Sequence, residues 1–203
     1  MSSFLGPIHF WLYDKIKFQE SLALHFYDFA LRNGRLDSSD SDSASLVKKE
    51  IPPLEDSIDT MNIHGWLQER IHDAESRYAK LITRLTGKIQ SSELEKIAFE
   101  FGKMHPVGKV PVREAYKIFE DSFLNGMPCD RVNVITQKDD FCIGWEQTQD
   151  IHGAYWLHAG GCPEIYYKLR KNVMSGMLNG SGLALENFDY LHYSIKKEEK
   201  CTR

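Results

Sequence analysis

A cysteine and two histidines in the C-terminal third could together carry out thiol chemistry. Cys162 directly precedes Pro163, and proline is typical of the first position of a helix. Cys162 would then lie at a helix N-terminus, where free N–H groups and the helix dipole favour a thiolate. His152 and His158 are six residues apart in a segment that we predict to be a strand, so both would face the same side. Either imidazole could then act as the base for a Cys162 nucleophile.

The same residues could instead hold a metal ion. Thiolate and imidazole ligands suit transition metals, and Cys142 or Cys129 could be added from a neighbouring strand or loop. The absence of a C-x-x-C pair from the sequence excludes a zinc ribbon or a thioredoxin-like motif. A third interpretation makes Cys162 a small buried residue at a strand-to-helix turn. The sequence leaves all three interpretations open.

An internal match in the N-terminal half supplies further candidate ligands. Residues 8–21 align with residues 63–76 without a gap, and both copies begin with Ile-His-x-Trp-Leu. Two copies do not make a solenoid, and the match indicates either a duplicated helix or a coincidence.

Helical geometry places the matched histidines and glutamates beside the apolar stripe of each copy. A position eleven residues along a helix returns to within about 20°, so His9 shares a side with Glu20, and His64 with Glu75. If the helices pack in parallel, His9 faces His64, and the pair could bind haem or form half of a metal site. If they pack antiparallel, each histidine would bond the other helix's glutamate. The plainer interpretation is that both histidines edge the core.

Aromatic residues are plentiful in the C-terminal half and could line a pocket for a flat ligand. They could equally be sheet and core residues. We select Trp156 as a candidate cofactor-binding residue. The set comprises Trp145, Tyr155, Trp156, Tyr166, Tyr167, Phe188, Tyr190 and Tyr193.

The elements that must position these residues begin as helices. Apolar periodicity and the flanking Gly and Pro residues predict helices at about residues 8–32, 59–85, 92–104 and 112–124. Between the first two, the Asp- and Ser-rich segment 36–58 is predicted to be a flexible acidic linker and the most mobile internal part of the chain.

The pattern then changes from helical to strand-like. Strands are predicted at about residues 131–136, 141–149, 151–158 and 184–195, with a helix at 163–178. We therefore predict an α+β fold, an N-terminal helical bundle followed by an antiparallel sheet with one inserted helix. The helical region 1–130 and the sheet region 131–203 are expected to pack as one domain.

The order of elements in residues 131–195 resembles that of vinyl-reductase-type ligand-binding domains and their trafficking-complex relatives. The likeness includes a helix that begins at a cysteine and ends in a Gly-x-Leu-x-Gly-like run, here Gly176-Met177-Leu178-Asn179-Gly180. It implies a pocket for a small or hydrophobic molecule between sheet and helices, and no residue roles are carried over. The run is not a nucleotide-binding loop, and a small residue such as Gly176 within a helix is typical of close packing.

Composition narrows the class of protein. The 203 residues carry a net charge of −4, which does not favour a nucleic-acid partner held by a basic surface. No apolar stretch approaches the roughly 20 residues that span a bilayer, and the first ten residues do not resemble a signal peptide. Four scattered cysteines are typical of a reducing, cytoplasmic compartment.

These observations predict a soluble cytosolic protein that binds a small molecule, a metal or a cofactor between its helices and its aromatic-rich sheet. The cofactor itself and the oligomeric state are left open. One alternative is a thiol-dependent enzyme, a hydrolase or transferase, that uses Cys162 with His158 or His152. Another is a protein-interaction module without catalysis.

Overall fold

A computed structural model describes residues 4–198, and it confirms the predicted α+β fold. The helices are α1 (Pro7–Arg32), α2 (Ser41–Ala44), α3 (Leu54–Ser57), α4 (Ile63–Thr86), α5 (Ser91–Lys103), α6 (Val112–Ser122), α7 (Gly153–His158) and α8 (Pro163–Leu178). The strands are β1 (Asn133–Lys138), β2 (Cys142–Gln147), β3 (Leu183–Asn187) and β4 (His192–Lys197). A single 3-10 turn at Pro128–Asp130 precedes β1.

The two long helices α1 and α4 pack in parallel. Their contacts advance together along both helices, through the ring pairs His9–His64, Tyr13–Trp66 and Phe26–Tyr78. A 24-residue helix is about 36 Å long at 1.5 Å per residue. The connection from the end of α1 to the start of α4 must therefore run back over a comparable distance.

Segment 36–58 is this return connection, and it is packed along the helix pair. Leu36, Val47 and Leu54 are buried in it, and it contains the short helices α2 and α3. These three residues pack on the core, and the mobility of the segment stays a prediction. Its few apolar residues are spaced along the return path and reach the core one at a time.

Polar contacts attach the return segment at successive heights on α1 and α4. Because the helices run in parallel, these contacts pair the start of the segment with the end of α4, and its end with the start of α1. They are Arg84 Nη1 to Ser43 Oγ (2.8 Å), Arg77 Nη1 to the Leu46 carbonyl (3.1 Å), Lys48 Nζ to Asp73 Oδ2 (2.7 Å) and Tyr13 OH to the Pro52 carbonyl (2.9 Å). The acidic and Ser-rich composition supplies some of these partners instead of keeping the segment apart from the fold.

The predicted strand at residues 151–158 is wrong, because this segment forms α7. The Asp150 carboxylate accepts hydrogen bonds from the N–H groups of His152 (2.9 Å) and Gly153 (2.7 Å), and so satisfies donors that a starting helix leaves free. Two helices, α7 and α8, therefore lie between β2 and β3.

The predicted strand at residues 184–195 is two strands, β3 and β4, that form a hairpin. The Asp189 carboxylate accepts hydrogen bonds from the N–H groups of Leu191 (2.8 Å) and His192 (2.9 Å), which closes the turn between them. A continuous strand was predicted because aromatic residues run across this turn.

The sheet is antiparallel with strand order β1-β2-β4-β3. Trp145 on β2 lies opposite Tyr193 on β4, and their rings stack at 5.4 Å between centroids. One sheet face packs on α6 and α8, which joins the sheet to the main core of the helices. Within residues 4–198, no helix combines the length and the apolar character that crossing a membrane would require.

Helices α5 and α8 cross at a very short distance, and two glycines make that crossing possible. A Cβ atom on Gly176 would lie 2.1 Å from the Phe99 carbonyl oxygen, and one on Gly102 would lie 2.1 Å from that of Val173. The prediction that Gly176 allows close packing is therefore confirmed. Any larger side chain would have to separate the two backbones.

We expect Gly176→Ala to destabilise the protein by about 1–3 kcal/mol, because the added methyl group overpacks the crossing. Gly87→Ala is the matched control, since its Cβ would meet only the Arg84 carbonyl oxygen, at 3.7 Å, and its φ of −74° suits alanine. Urea denaturation of both variants measures the difference. Equal midpoints for the two variants would contradict the close crossing.

Candidate functional site

The predicted Cys162 site is assembled only in part. Cys162 is the N-cap of α8 and is exposed, as the Pro163 signal predicted. His158 is exposed in the last turn of α7, whereas His152 is buried at its start. The argument that placed both histidines on one face is wrong because the segment is helical. Among residues 4–198, no hydrogen bond joins Cys162 to either histidine.

Cys142, the candidate metal ligand, begins β2 opposite Lys196 and is buried. Burial raises the pKa of the Cys142 thiol, which disfavours the thiolate that metal binding requires. The described part of the chain contains no group of three or more His, Cys, Asp or Glu side chains placed to hold a metal ion. The tail residue Cys201 lies outside that part.

His9 and His64 meet as a parallel helix pair requires. Their ring centroids are 5.6 Å apart and the planes cross at 71°. His9 Nδ1 also accepts a hydrogen bond from the Gly6 N–H (2.9 Å), and so caps the start of α1. His64 is exposed, and the pair lies at the open end of the α1–α4 interface.

Trp156, the candidate cofactor-binding residue, is a core residue. Its ring is fully buried and meets Tyr78 edge to face at 5.9 Å. Its indole N–H has no hydrogen-bond partner in the described structure.

The structure instead brings together a buried polar chain that crosses the whole molecule. Glu75 Oε1 on α4 lies 3.1 Å from His152 Nδ1, and His152 Nε2 lies 2.9 Å from the hydroxyl of Tyr166 on α8. Arg170, one turn further along α8, donates to the same hydroxyl (2.9 Å) and to Asn125 Oδ1 (2.8 Å). All of these side chains are buried.

The chain ends at the sheet, where Gln147 on β2 donates to Asn125 Oδ1 (3.2 Å). It therefore connects α4, the start of α7, α8, the loop after α6 and β2. Because a buried polar group without a partner costs about 1–3 kcal/mol, each link restricts where its element can lie.

The positions of the hydrogen atoms in the polar chain follow from the hydrogen-bonding capacity of each group. An ionised Glu75 only accepts, so His152 Nδ1 carries the hydrogen and Nε2 accepts from the Tyr166 hydroxyl. Burial raises the pKa of Tyr166 well above its usual range, which keeps that hydroxyl protonated. The His152 ring also stacks on Tyr166 at 4.1 Å between centroids, so both its orientation and its tautomer are set.

Asp150 fixes the end of the chain that carries His152. Besides the N–H groups of His152 and Gly153, it accepts the hydroxyl of Tyr167 (2.5 Å). Burial alone would raise the pKa of Asp150, but the hydrogen bonds outweigh it and hold this pKa below its usual range.

One end of the polar chain opens into a cleft of about 570 Å³. Its walls are residues 65–75 of α4, the loop 126–130 and residues 151–155 at the start of α7. Glu75 and His152 lie at its base, at 2% and 1% exposure. The second carboxylate oxygen, Glu75 Oε2, is buried and has no partner in the described structure.

Glu20 provides a built-in comparison for Glu75, because the two occupy matched positions in the repeat. Glu20 is equally buried, but it is bonded by Arg77 and lies 3.9 Å from the ammonium of Lys48. Among residues 4–198, the His152 ring is the only group bonded to the Glu75 carboxylate, and Glu75 Oε2 has no partner. The same side chain is thus neutralised at one position and left available at the other.

Sequence reasoning missed most of this site. Arg170, Asn125, Gln147 and Asp150 form no local motif with His152, and Glu75 is 77 residues away from it along the chain. The sequence places Glu75 on the same helix side as His64 and level with Glu20 in the internal match, and it gives no sign of a contact with His152. Comparison with known protein families, with curated proteins and with solved structures finds no match to this chain. These comparisons therefore give no support to the resemblance to vinyl-reductase-type domains.

We expect His152→Ala and Tyr166→Phe to be energetically coupled, because both remove the same hydrogen bond. In a double-mutant cycle, the double variant should cost less than the sum of the single variants by about 0.5–3 kcal/mol. His152→Ala combined with Tyr13→Phe is the control pair, since Tyr13 bonds Pro52 and shares no partner with His152. Denaturant unfolding measures all free energies, and additivity in the test pair would contradict the chain.

We expect Asp150→Asn to change the response of the protein to acid. Because the folded-state pKa of Asp150 lies below the unfolded value of about 3.9, its contribution to stability is present above that value and is lost as pH falls through the folded pKa. The stability difference between wild type and Asp150→Asn should therefore be largest near neutral pH and should shrink below about pH 4. Thermal unfolding from pH 7 to pH 2 tests this, and a pH-independent difference would refute it.

Proposed function

We propose that the protein binds a small organic cation, of the amine or guanidine class, in the cleft between α4 and α7. One observation carries the proposal. Glu75 places a buried carboxylate oxygen without a hydrogen-bond partner at the base of the cleft. A cation that donates a hydrogen bond to this oxygen would supply the charge and the donor that the protein omits.

The walls of the cleft support a positively charged ligand. Glu69 and Asp130 add two carboxylates, and no lysine or arginine lines the described cleft. The Tyr155 ring contacts the exposed His72 ring at 5.3 Å and offers an aromatic surface of the kind that attracts cations. His72 is itself part of the wall of the cleft.

The comparison with Glu20 supports a binding role over a purely structural one. A glutamate that only stabilises the fold is expected to have its charge matched within the fold, as Glu20 does with Arg77.

The free cysteines Cys129, Cys142 and Cys162 are in keeping with our further proposal that the protein acts in the reducing cytoplasm.

Three probes with the same carbon chain test the ligand class: n-butylammonium, n-butanol and butyrate. We expect only n-butylammonium to shift the amide resonances of residues around Glu75 and His152 saturably. Glu75→Gln should weaken this binding by about 10- to 100-fold, the equivalent of a charge-assisted hydrogen bond of about 1.5–3 kcal/mol.

Glu69→Gln is the matched control. It removes one carboxylate from the same cleft, but its side chain is 71% exposed, so we expect a loss of affinity of less than about fivefold. Glutamine keeps an oxygen for His152 Nδ1, so Glu75→Gln preserves the link to His152 while removing the negative charge. Equal binding of butanol, or unchanged binding by Glu75→Gln, would overturn the proposal.

A further inference from the structure

A second, smaller chamber lies on the other side of the loop 126–127 and contains a buried lysine. It has a volume of about 80 Å³, and its walls include Trp11, Lys15, Glu120 and Asn125. Lys15 is only 3% exposed, and its Nζ lies over the Trp11 ring at 4.0 Å from the centroid. A lysine buried to this degree is uncommon unless its charge is paired.

The chamber wall contains two hydrogen-bond donors without a protein acceptor, and one acceptor without a partner, Asn133 Oδ1. Among residues 4–198, no acceptor within hydrogen-bond or ion-pair distance of Lys15 Nζ is found. Asn125 is only 9% exposed, and its Oδ1 accepts hydrogen bonds from Arg170 and Gln147. Its Nδ2 nevertheless has no hydrogen-bond partner. Both donors belong to the wall of the same chamber.

The nearby carboxylates do not pair with Lys15, because other groups engage them. Glu120 accepts a hydrogen bond from the side-chain amide of Asn133. Asp121 accepts from the Trp11 indole N–H (2.8 Å) and from Lys117 (2.8 Å). Their charges act on Lys15 only at longer range.

Burial is the largest influence on the Lys15 ammonium and lowers its pKa to about 8. Glu120 and Asp121 oppose this shift, whereas Arg170 adds to it.

We propose that this chamber binds a small oxyanion of the carboxylate class, of the size of formate or bicarbonate, through Lys15 Nζ and Asn125 Nδ2. The two oxygens of such an anion can accept hydrogen bonds from two donors of the same wall, and Arg131 adds a second cation to this wall. The proposal is independent of the cleft, which presents carboxylates instead of cations. Water is the competing occupant, because the volume exceeds the roughly 30 Å³ that one molecule occupies in the liquid.

The experiment follows the Lys15 side chain directly in the wild-type protein by carbon-detected NMR of lysine ε-methylenes. We expect sodium formate to raise the pKa of Lys15 saturably from about 8, because a bound anion favours the ammonium form. Lys17, exposed on the same helix and paired with Asp14, is the internal control and should not respond. Sodium chloride at equal ionic strength controls for screening.

The formate affinity of two variants provides a second measurement. Lys15→Met should lose at least tenfold in formate affinity, whereas Lys17→Met should bind formate as wild type does. A titration with sodium bicarbonate instead of sodium formate distinguishes the two candidate anions. Glu75→Gln should keep formate binding, so failure of the cleft proposal leaves this one standing. If chloride shifts the Lys15 pKa as much as formate, or if Lys15→Met binds formate unchanged, the proposal is wrong. If Lys15→Met does not fold, the wild-type titration decides alone.

Discussion

The need to satisfy buried polar groups is the constraint on which this structure depends. The chain from Glu75 through His152, Tyr166 and Arg170 to Asn125 has a member on or beside nearly every layer of the fold. Apolar packing alone tolerates small shifts between layers, whereas hydrogen bonds lose most of their strength when their geometry changes. The chain therefore determines the register between helices and sheet, and the apolar core fills the space around it.

Parallel packing of α1 and α4 has consequences beyond those two helices. It obliges the chain to return along the full length of the pair, and segment 36–58 becomes part of the structure for that reason. It also aligns the two copies of the internal match, so that His9 meets His64 and Glu20 lies level with Arg77. Two glutamates with the same local sequence thus enter different surroundings, one next to the return segment and the other next to α7.

The two candidate sites lie on opposite sides of the loop that follows α6. Gly126 and Met127 line the cleft as well as the Lys15 chamber, and Asn125 joins the chamber to the polar chain. The charged groups at the two sites are opposite in sign: Glu75, whose Oε2 has no partner in the described structure, lines the cleft, and Lys15 lines the chamber. Opposite charges that are buried apart from each other lower the stability of the folded protein. Such unfavourable arrangements are common at binding sites.

Local pattern was sufficient for the order of elements, because periodicity and Pro and Gly signals act within a few turns. It gave the α+β class, the start of α8 at Pro163 with Cys162 as its cap, and the close approach at Gly176. The predicted meeting of His9 and His64 also came from pattern, once a parallel arrangement was among the alternatives. These features depend on the backbone and on apolar spacing, which the sequence states directly.

Only the tertiary structure decided the chemistry. His152 and Glu75 are far apart in the chain, and no spacing rule connects a helix N-terminus with the middle of another helix. Residues 151–158 became helical because the Asp150 side chain satisfies the first N–H groups, a contact that outweighs the strand preference of the aromatic residues. Lys15 resembles any surface lysine in the sequence, and its burial follows from the loop that covers it. Charge pairing and burial depend on which distant elements meet, and packing of the whole chain determines that.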